Sequence, residues 1–121
     1  MSKILKTTSM LLALSSSIFI SCKDDAIQYA ENLCNVRNPE TELIWLKNAI
    51  EEFQDDQYSY FNSAQYEGNV VFFSGNCNPS INYVSFVQNC NGDTLGFTNE
   101  ISSDLDKIKL LWKADNSLCD L

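Results

Sequence analysis

YSYFNSAQYEGNVVFFS, residues 58–74, is the stretch on which the fold turns. Its halves, 58–66 and 69–74, are rich in Tyr, Phe and Val, which suit a pleated, half-buried surface. Glu67-Gly68 between them is a turn signal, so a β-hairpin is expected. A strand that buries one face alternates apolar and polar residues. Strand 69–74 does not alternate. Val70 and Phe72 point one way, Val71 and Phe73 the other, so both faces of the sheet need cover. Tyr58, Tyr60 and Tyr66 share a face of the first strand, opposite Phe61. The plainer account is that the N-terminal tether and the C-terminal tail cover the second face. The sharper account is a binding patch of exposed aromatic residues drawn from Tyr58, Tyr60, Tyr66 and Phe72.

Working outward, 81–90 and 93–97 flank Asn91-Gly92, which suits a type I′ turn because both central residues need φ > 0. Residues 75–80 read as a loop between the hairpins. Upstream, Asn38-Pro39-Glu40 is a helix start, with Asn as cap and Pro at the first helical position. Leu43, Leu46, Ile50 and Phe53 then repeat at helical spacing, with Ile44 and Trp45 widening the stripe. Downstream, Ile101, Leu105, Ile108 and Trp112 fit a helix, whereas Ile108, Leu110 and Trp112 among lysines fit a strand. The favoured reading is a helical turn over 102–106 and a strand over 107–113. The sum is an α+β domain: one amphipathic helix packed on an antiparallel sheet of four or five strands. Trp45 and Trp112 are expected in its core.

The chain has 121 residues, a formal charge of −8, no histidine and one arginine, Arg37. One domain fits that length. Without histidine there is no Ser-His-Asp triad, no imidazole metal ligand and no histidine pH switch. The acidic balance argues against nucleic acid as a partner.

The N-terminus reads as an address. Lys3 and Lys6 precede an apolar stretch over 10–20, about half the length needed to cross a bilayer. That order is a secretory signal peptide. Phe19-Ile20-Ser21-Cys22 resembles a bacterial lipobox, which implies cleavage before Cys22 and acylation of its thiol. Two or three acyl chains would anchor the protein stably. Lys23-Asp24-Asp25 resembles the surface-export signal of Bacteroidota lipoproteins. The expected organisation is a lipoprotein signal peptide over 1–21, an acylated tether over 22–37 that becomes ordered near Cys34, and a domain over 38–121. After cleavage six basic and sixteen acidic residues remain, a formal charge of −10.

Five cysteines then become one lipid carrier and four disulfide candidates, Cys34, Cys77, Cys90 and Cys119. Cys77 and Cys90 would lie at opposite ends of a strand roughly 30 Å long, too far apart to bridge. Cys34–Cys90 with Cys77–Cys119, and Cys34–Cys77 with Cys90–Cys119, both stay open.

The acidic groups Glu51, Glu52, Asp55 and Asp56, and Asp104 with Asp106, lack the spacing of a calcium loop and read as solvated surface. No metal or cofactor is expected. Paired carboxylates could do acid–base chemistry only with shifted pKa values, and nothing in the sequence supplies the burial or charge for that.

Several short motifs occur together: Trp45-Leu46-Lys47, Tyr66-Glu67-Gly68, Asn76-Cys77-Asn78-Pro79, Asn89-Cys90-Asn91-Gly92, Leu111-Trp112-Lys113 and Cys119. In order and spacing they resemble a family of small surface lipoproteins of the Bacteroidota over residues 40–119. Members often carry further cysteines after the position of Cys77, where this chain has Asn78 and Ile81. The resemblance implies a location and an architecture. It transfers no activity, catalytic residue or ligand. The expected function is a monomeric, non-enzymatic binding or accessory lipoprotein on the outer-membrane surface, with a protein or small ligand as partner. A rival expectation is an inhibitor of a secreted hydrolase, presenting the 75–80 loop. The last is a small enzyme using paired carboxylates.

Overall fold

The computed structural model describes residues 33–121. The signal segment, Cys22, the Lys23-Asp24-Asp25 triplet and the tether as far as residue 32 lie outside the described residues. The elements are α1 (Pro39–Glu42), α2 (Ile44–Glu52), β1 (Ser59–Tyr66), β2 (Asn69–Asn76), β3 (Phe86–Gln88), β4 (Thr94–Phe97), α3 (Thr98–Ile101), a 3-10 turn (Ser102–Asp104) and β5 (Leu105–Lys113). All five strands form one antiparallel sheet in the order β4-β3-β2-β1-β5. The fold is therefore α+β, with the sheet dominant and the helix short.

The expected helix is broken. Leu43 adopts an extended conformation (ψ 108°) between α1 and α2. Asn38 makes no side-chain cap; instead its backbone N–H donates to Glu42 Oε2 at 2.7 Å. The apolar stripe still faces the sheet: Leu46 and Ile50 are buried with Phe61 and Phe72, and Leu43 and Phe53 pack beside them. Ile44 does not widen it, being 75% exposed. At about 100° per residue Ile44 lies some 160° round the helix from Leu46, on the opposite side. Trp45, on the flank, packs edge-on against Phe72 and donates its indole N–H to the Cys90 carbonyl at 2.8 Å. Trp112 packs on Phe61. Both tryptophans are half-buried and border the core.

The hairpin over 58–74 forms in the expected register, with Tyr66 opposite Asn69. Its turn has φ +51° at Glu67 and +79° at Gly68, the signature of type I′. The turn expected to be type I′, at Asn91-Gly92, is not: only Gly92 has positive φ. There the Gly92 N–H donates to the Asn89 carbonyl, and Asn89 Oδ1 accepts the N–H groups of Asn91 and Asp93. The Asn89 side chain shapes the turn, which removes the need for two left-handed residues.

Strand 81–90 shrinks to Phe86–Gln88. Two side chains take over where a ladder was expected. Tyr83 shares a hydrogen bond with Ser74 Oγ at 2.7 Å, and the Ser85 hydroxyl donates to the Ser74 carbonyl at 2.6 Å. The tail is a strand, as favoured, and its helical turn comes earlier, at 98–104. Strict alternation would put Ile108, Leu110 and Trp112 on one face. Register shifts in β5, with Lys107 at φ +51°, leave Leu110 opposite Asn62 but Trp112 opposite Phe61, on the helix side.

The disulfides are Cys34–Cys90 and Cys77–Cys119, one of the two pairings left open by the sequence. Cys34 sits in a turn with φ +61°, and Leu33 and Cys34 pack against the helix-side core.

Among the described residues, the second sheet face is covered in part by the segment between β4 and β5. Because β4 and β5 are opposite edges, the chain between them crosses that face. Ile101 from the crossing packs on Ala64, Val71, Val87 and Leu105. The C-terminal tail instead closes the sheet end, where the Leu118 N–H donates to the Gln57 carbonyl.

Candidate functional site

A nine-residue helix is about 14 Å long and about 10 Å across. Five strands at about 4.8 Å spacing make a sheet about 19 Å wide. One such helix cannot cover it. Among the described residues, α2 lies over the β1–β2 side and the β3–β4 end of the same face is left open. The result is a groove of about 500 Å³ between α2 and β3–β4. Phe53 and Glu52 form the helix wall, Phe61 and Ser74 lie toward the core, and Tyr83, Phe86 and Phe97 form the far side.

Phe86 and Phe97 are register partners across β3 and β4, with ring centroids 5.1 Å apart. They are 53% and 41% exposed. Leu95, on the same edge strand, and Val84, just before β3, are each 44% exposed. The platform is held firmly. The Thr98 N–H donates to the Ser85 carbonyl at 2.9 Å, and the Ser85 N–H donates to Thr98 Oγ1 at 3.1 Å. Folding thus holds two large rings half in water, although each would stabilise the fold by about 1.5–3 kcal/mol if fully buried.

The residues expected to form a binding patch are not brought together. Phe72 is fully buried on the helix side, under Trp45, and is core. Tyr60 is half-buried and lies over Gly75, where an added Cβ would come within 2.3 Å of its ring. Tyr66 is half-buried at the other end of β1, against the Ala64–Leu105 cluster. Tyr58 precedes β1 in a turn organised by Asp56. Six residues of strand separate Tyr60 from Tyr66, roughly 20 Å. Phe86 and Phe97 are what the sequence reading missed. The available signal was dimensional: one short helix against five strands must leave an end uncovered, and these are the large side chains there.

Other hollows among the described residues include two of note. One, about 480 Å³, lies beside Cys34–Cys90 and is lined by Asn35, Asn69, Asn89 and Asn91. The other, about 300 Å³, holds Asp55, Asp115 and Lys113 near the C-terminal turn. The loop proposed as inhibitory is ordered by its own side chains. Asn76 Oδ1 accepts the Asn78 N–H and Asn78 Oδ1 accepts the Ser80 N–H, both at 2.9 Å, next to the Cys77–Cys119 bridge.

Among the described residues no three of His, Cys, Asp or Glu are gathered to hold a metal ion. Asp56 is committed to the backbone: it accepts the Tyr58 N–H at 2.9 Å and the Ser59 hydroxyl at 2.8 Å. Those bonds hold its pKa below the usual carboxylate value, the Tyr58 N–H contributing most. The charge of Glu67 pushes the Tyr66 phenol above its usual value, with burial and Asp104 acting the same way. No protein-family model, curated protein or solved structure matches the chain.

Proposed function

We propose that this chain is a non-enzymatic binding module, held on the outer-membrane surface by lipid on Cys22, and that the groove between α2 and β3–β4 is its binding surface. The observation that carries the reading is the register-paired Phe86 and Phe97, about half exposed over a groove of about 500 Å³. That volume falls in the usual range of ligand pockets, about 300–1,000 Å³. Aromatic anchors at the centre of a contact supply most of its energy. Binding is favoured over turnover by the side chains at hand. Among the described residues the groove holds one carboxylate, Glu52, and the chain has no histidine, so those residues supply no acid–base pair there. Lys23-Asp24-Asp25 after Cys22 supports the surface location.

Nile red, an uncharged fluorophore that brightens on apolar surfaces, tests the groove. The full chain should bind it, and Phe86→Ser/Phe97→Ser should abolish the brightening while the melting temperature stays within a few degrees. Brightening that survives in the double variant overturns the assignment. Metabolic labelling with alkyne-palmitate should mark the wild type and not Cys22→Ser; label retained by that variant would sink the anchor.

A second reading, inhibition of a secreted hydrolase, is favoured by the Asn76 and Asn78 turns that stiffen the Cys77 loop and by Ile81, 48% exposed just beyond it. Inhibition by the wild type that is lost in Ile81→Asp would support it over the groove.

A further inference from the structure

We infer that the occupant of the groove is a cationic protein segment: an apolar side chain seated between Phe86 and Phe97, flanked in sequence by Lys or Arg. This rests on the groove being the binding surface. The charge distribution argues for it. Every described residue lining the groove falls between Ala49 and Phe97. From Asn48 to Asp106 the chain has no Lys or Arg and nine carboxylates. Among the described residues, the only charged side chain in the lining is Glu52, on the helix wall.

The described cations lie elsewhere. Lys107, Lys109 and Lys113 are on β5, the opposite edge of the sheet. Four strand spacings, about 19 Å, separate that edge from β4. None of these lysines lines the groove, although its near wall reaches Phe61 of β1, the strand beside β5. Lys47 is on α2 but lies about 140° round the helix from Glu52. Arg37 precedes α1, outside the lining. Among the described residues, an apolar anchor entering the groove therefore meets one charged side chain in the lining, the carboxylate of Glu52. A segment with Arg or Lys beside the anchor is drawn in and pairs with Glu52; an acidic segment is repelled.

Titration calorimetry with the full chain and two synthetic heptapeptides tests this. Both carry a central phenylalanine flanked by serines; one has arginine and the other glutamate at the alternate positions. At about 20 mM salt the arginine peptide should bind at least tenfold more tightly, and the advantage should shrink to threefold or less at 0.5 M. Glu52→Gln should weaken the arginine peptide about three- to tenfold and leave the glutamate peptide no weaker. Equal affinity for both peptides, or no heat from either at millimolar concentration, overturns the cationic inference and leaves the groove assignment standing. Arginine-peptide binding that survives Phe86→Ser/Phe97→Ser overturns the groove assignment itself.

Discussion

Gly75→Ala should destabilise the protein, and the same substitution should stabilise it once Tyr60 is gone. Gly75 is buried in β2 opposite Tyr60 of β1. A Cβ there would stand 2.3 Å from Tyr60 Cζ and 2.5 Å from its hydroxyl oxygen, distances no packed carbon occupies. The ring must swing off the sheet. A half-buried tyrosine covers on the order of 100 Å², so exposing it costs about 2–2.5 kcal/mol at about 25 cal/mol per Å². Against this, alanine gains roughly 0.5 kcal/mol over glycine inside a strand. The net loss is about 1.5–2 kcal/mol. In a Tyr60→Ala background the three atoms nearest the new methyl group are gone, and Gly75→Ala should stabilise by roughly 0.5 kcal/mol. The coupling of about 2 kcal/mol is well above the scatter of additive pairs, about 0.3–0.5 kcal/mol. Urea melts followed by tryptophan fluorescence, with disulfides intact, would measure it. Equal cost in both backgrounds would mean that Tyr60 projects into solvent, and the tyrosine patch would regain its place as a binding surface.

Glu67→Asn should raise stability by roughly 0.5–1 kcal/mol, since Glu67 holds φ +51° and a left-handed conformation costs an L-residue about 1–2 kcal/mol. The melting temperature should rise by about 3–6 °C; a fall would contradict the type I′ assignment. Replacing both members of Cys34–Cys90 or of Cys77–Cys119 by serine, across separations of 56 and 42 residues, should cost about 4 kcal/mol in either case on the chain-entropy model, and a denaturation midpoint that does not move refutes it. Asp56 has a folded pKa below its unfolded value of 3.8. Its contribution is therefore present above that pH and is lost as pH falls through the folded value. Wild type should be more stable than Asp56→Asn by a constant margin above about pH 5 and converge with it in stronger acid; a margin independent of pH would contradict the assignment.

The parts of the fold readable in the sequence are those set by local chemistry. Glu67-Gly68 between two aromatic runs specifies the central hairpin, and Leu43, Leu46, Ile50 and Phe53 specify a buried helical stripe. What failed to read depends on contacts distant in sequence. Ile81, Tyr83 and Val84 have strand-forming side chains, yet Ser74 engages Tyr83 and Ser85 and the ladder starts only at Phe86. The register shifts that move Trp112 to the helix side are set by pairing with β1, which spacing within β5 cannot encode. The doubly apolar strand 69–74 points to a second face that is either covered or an exposed aromatic patch. The cover comes from α2 on one side and the 98–104 crossing on the other. Which strand sits at an edge follows from the order β4-β3-β2-β1-β5, and only that order exposes Phe86 and Phe97. The site was therefore hidden even though its residues were in view.

The most direct measurement places a photo-crosslinking amino acid, p-benzoylphenylalanine, at position 97 or at position 60 of the chain displayed on living cells. The groove account predicts a discrete crosslinked adduct from position 97, abolished by Phe86→Ser, and none from position 60. Adducts from position 60 with none from position 97 would contradict it and return the binding surface to the tyrosine face of the sheet.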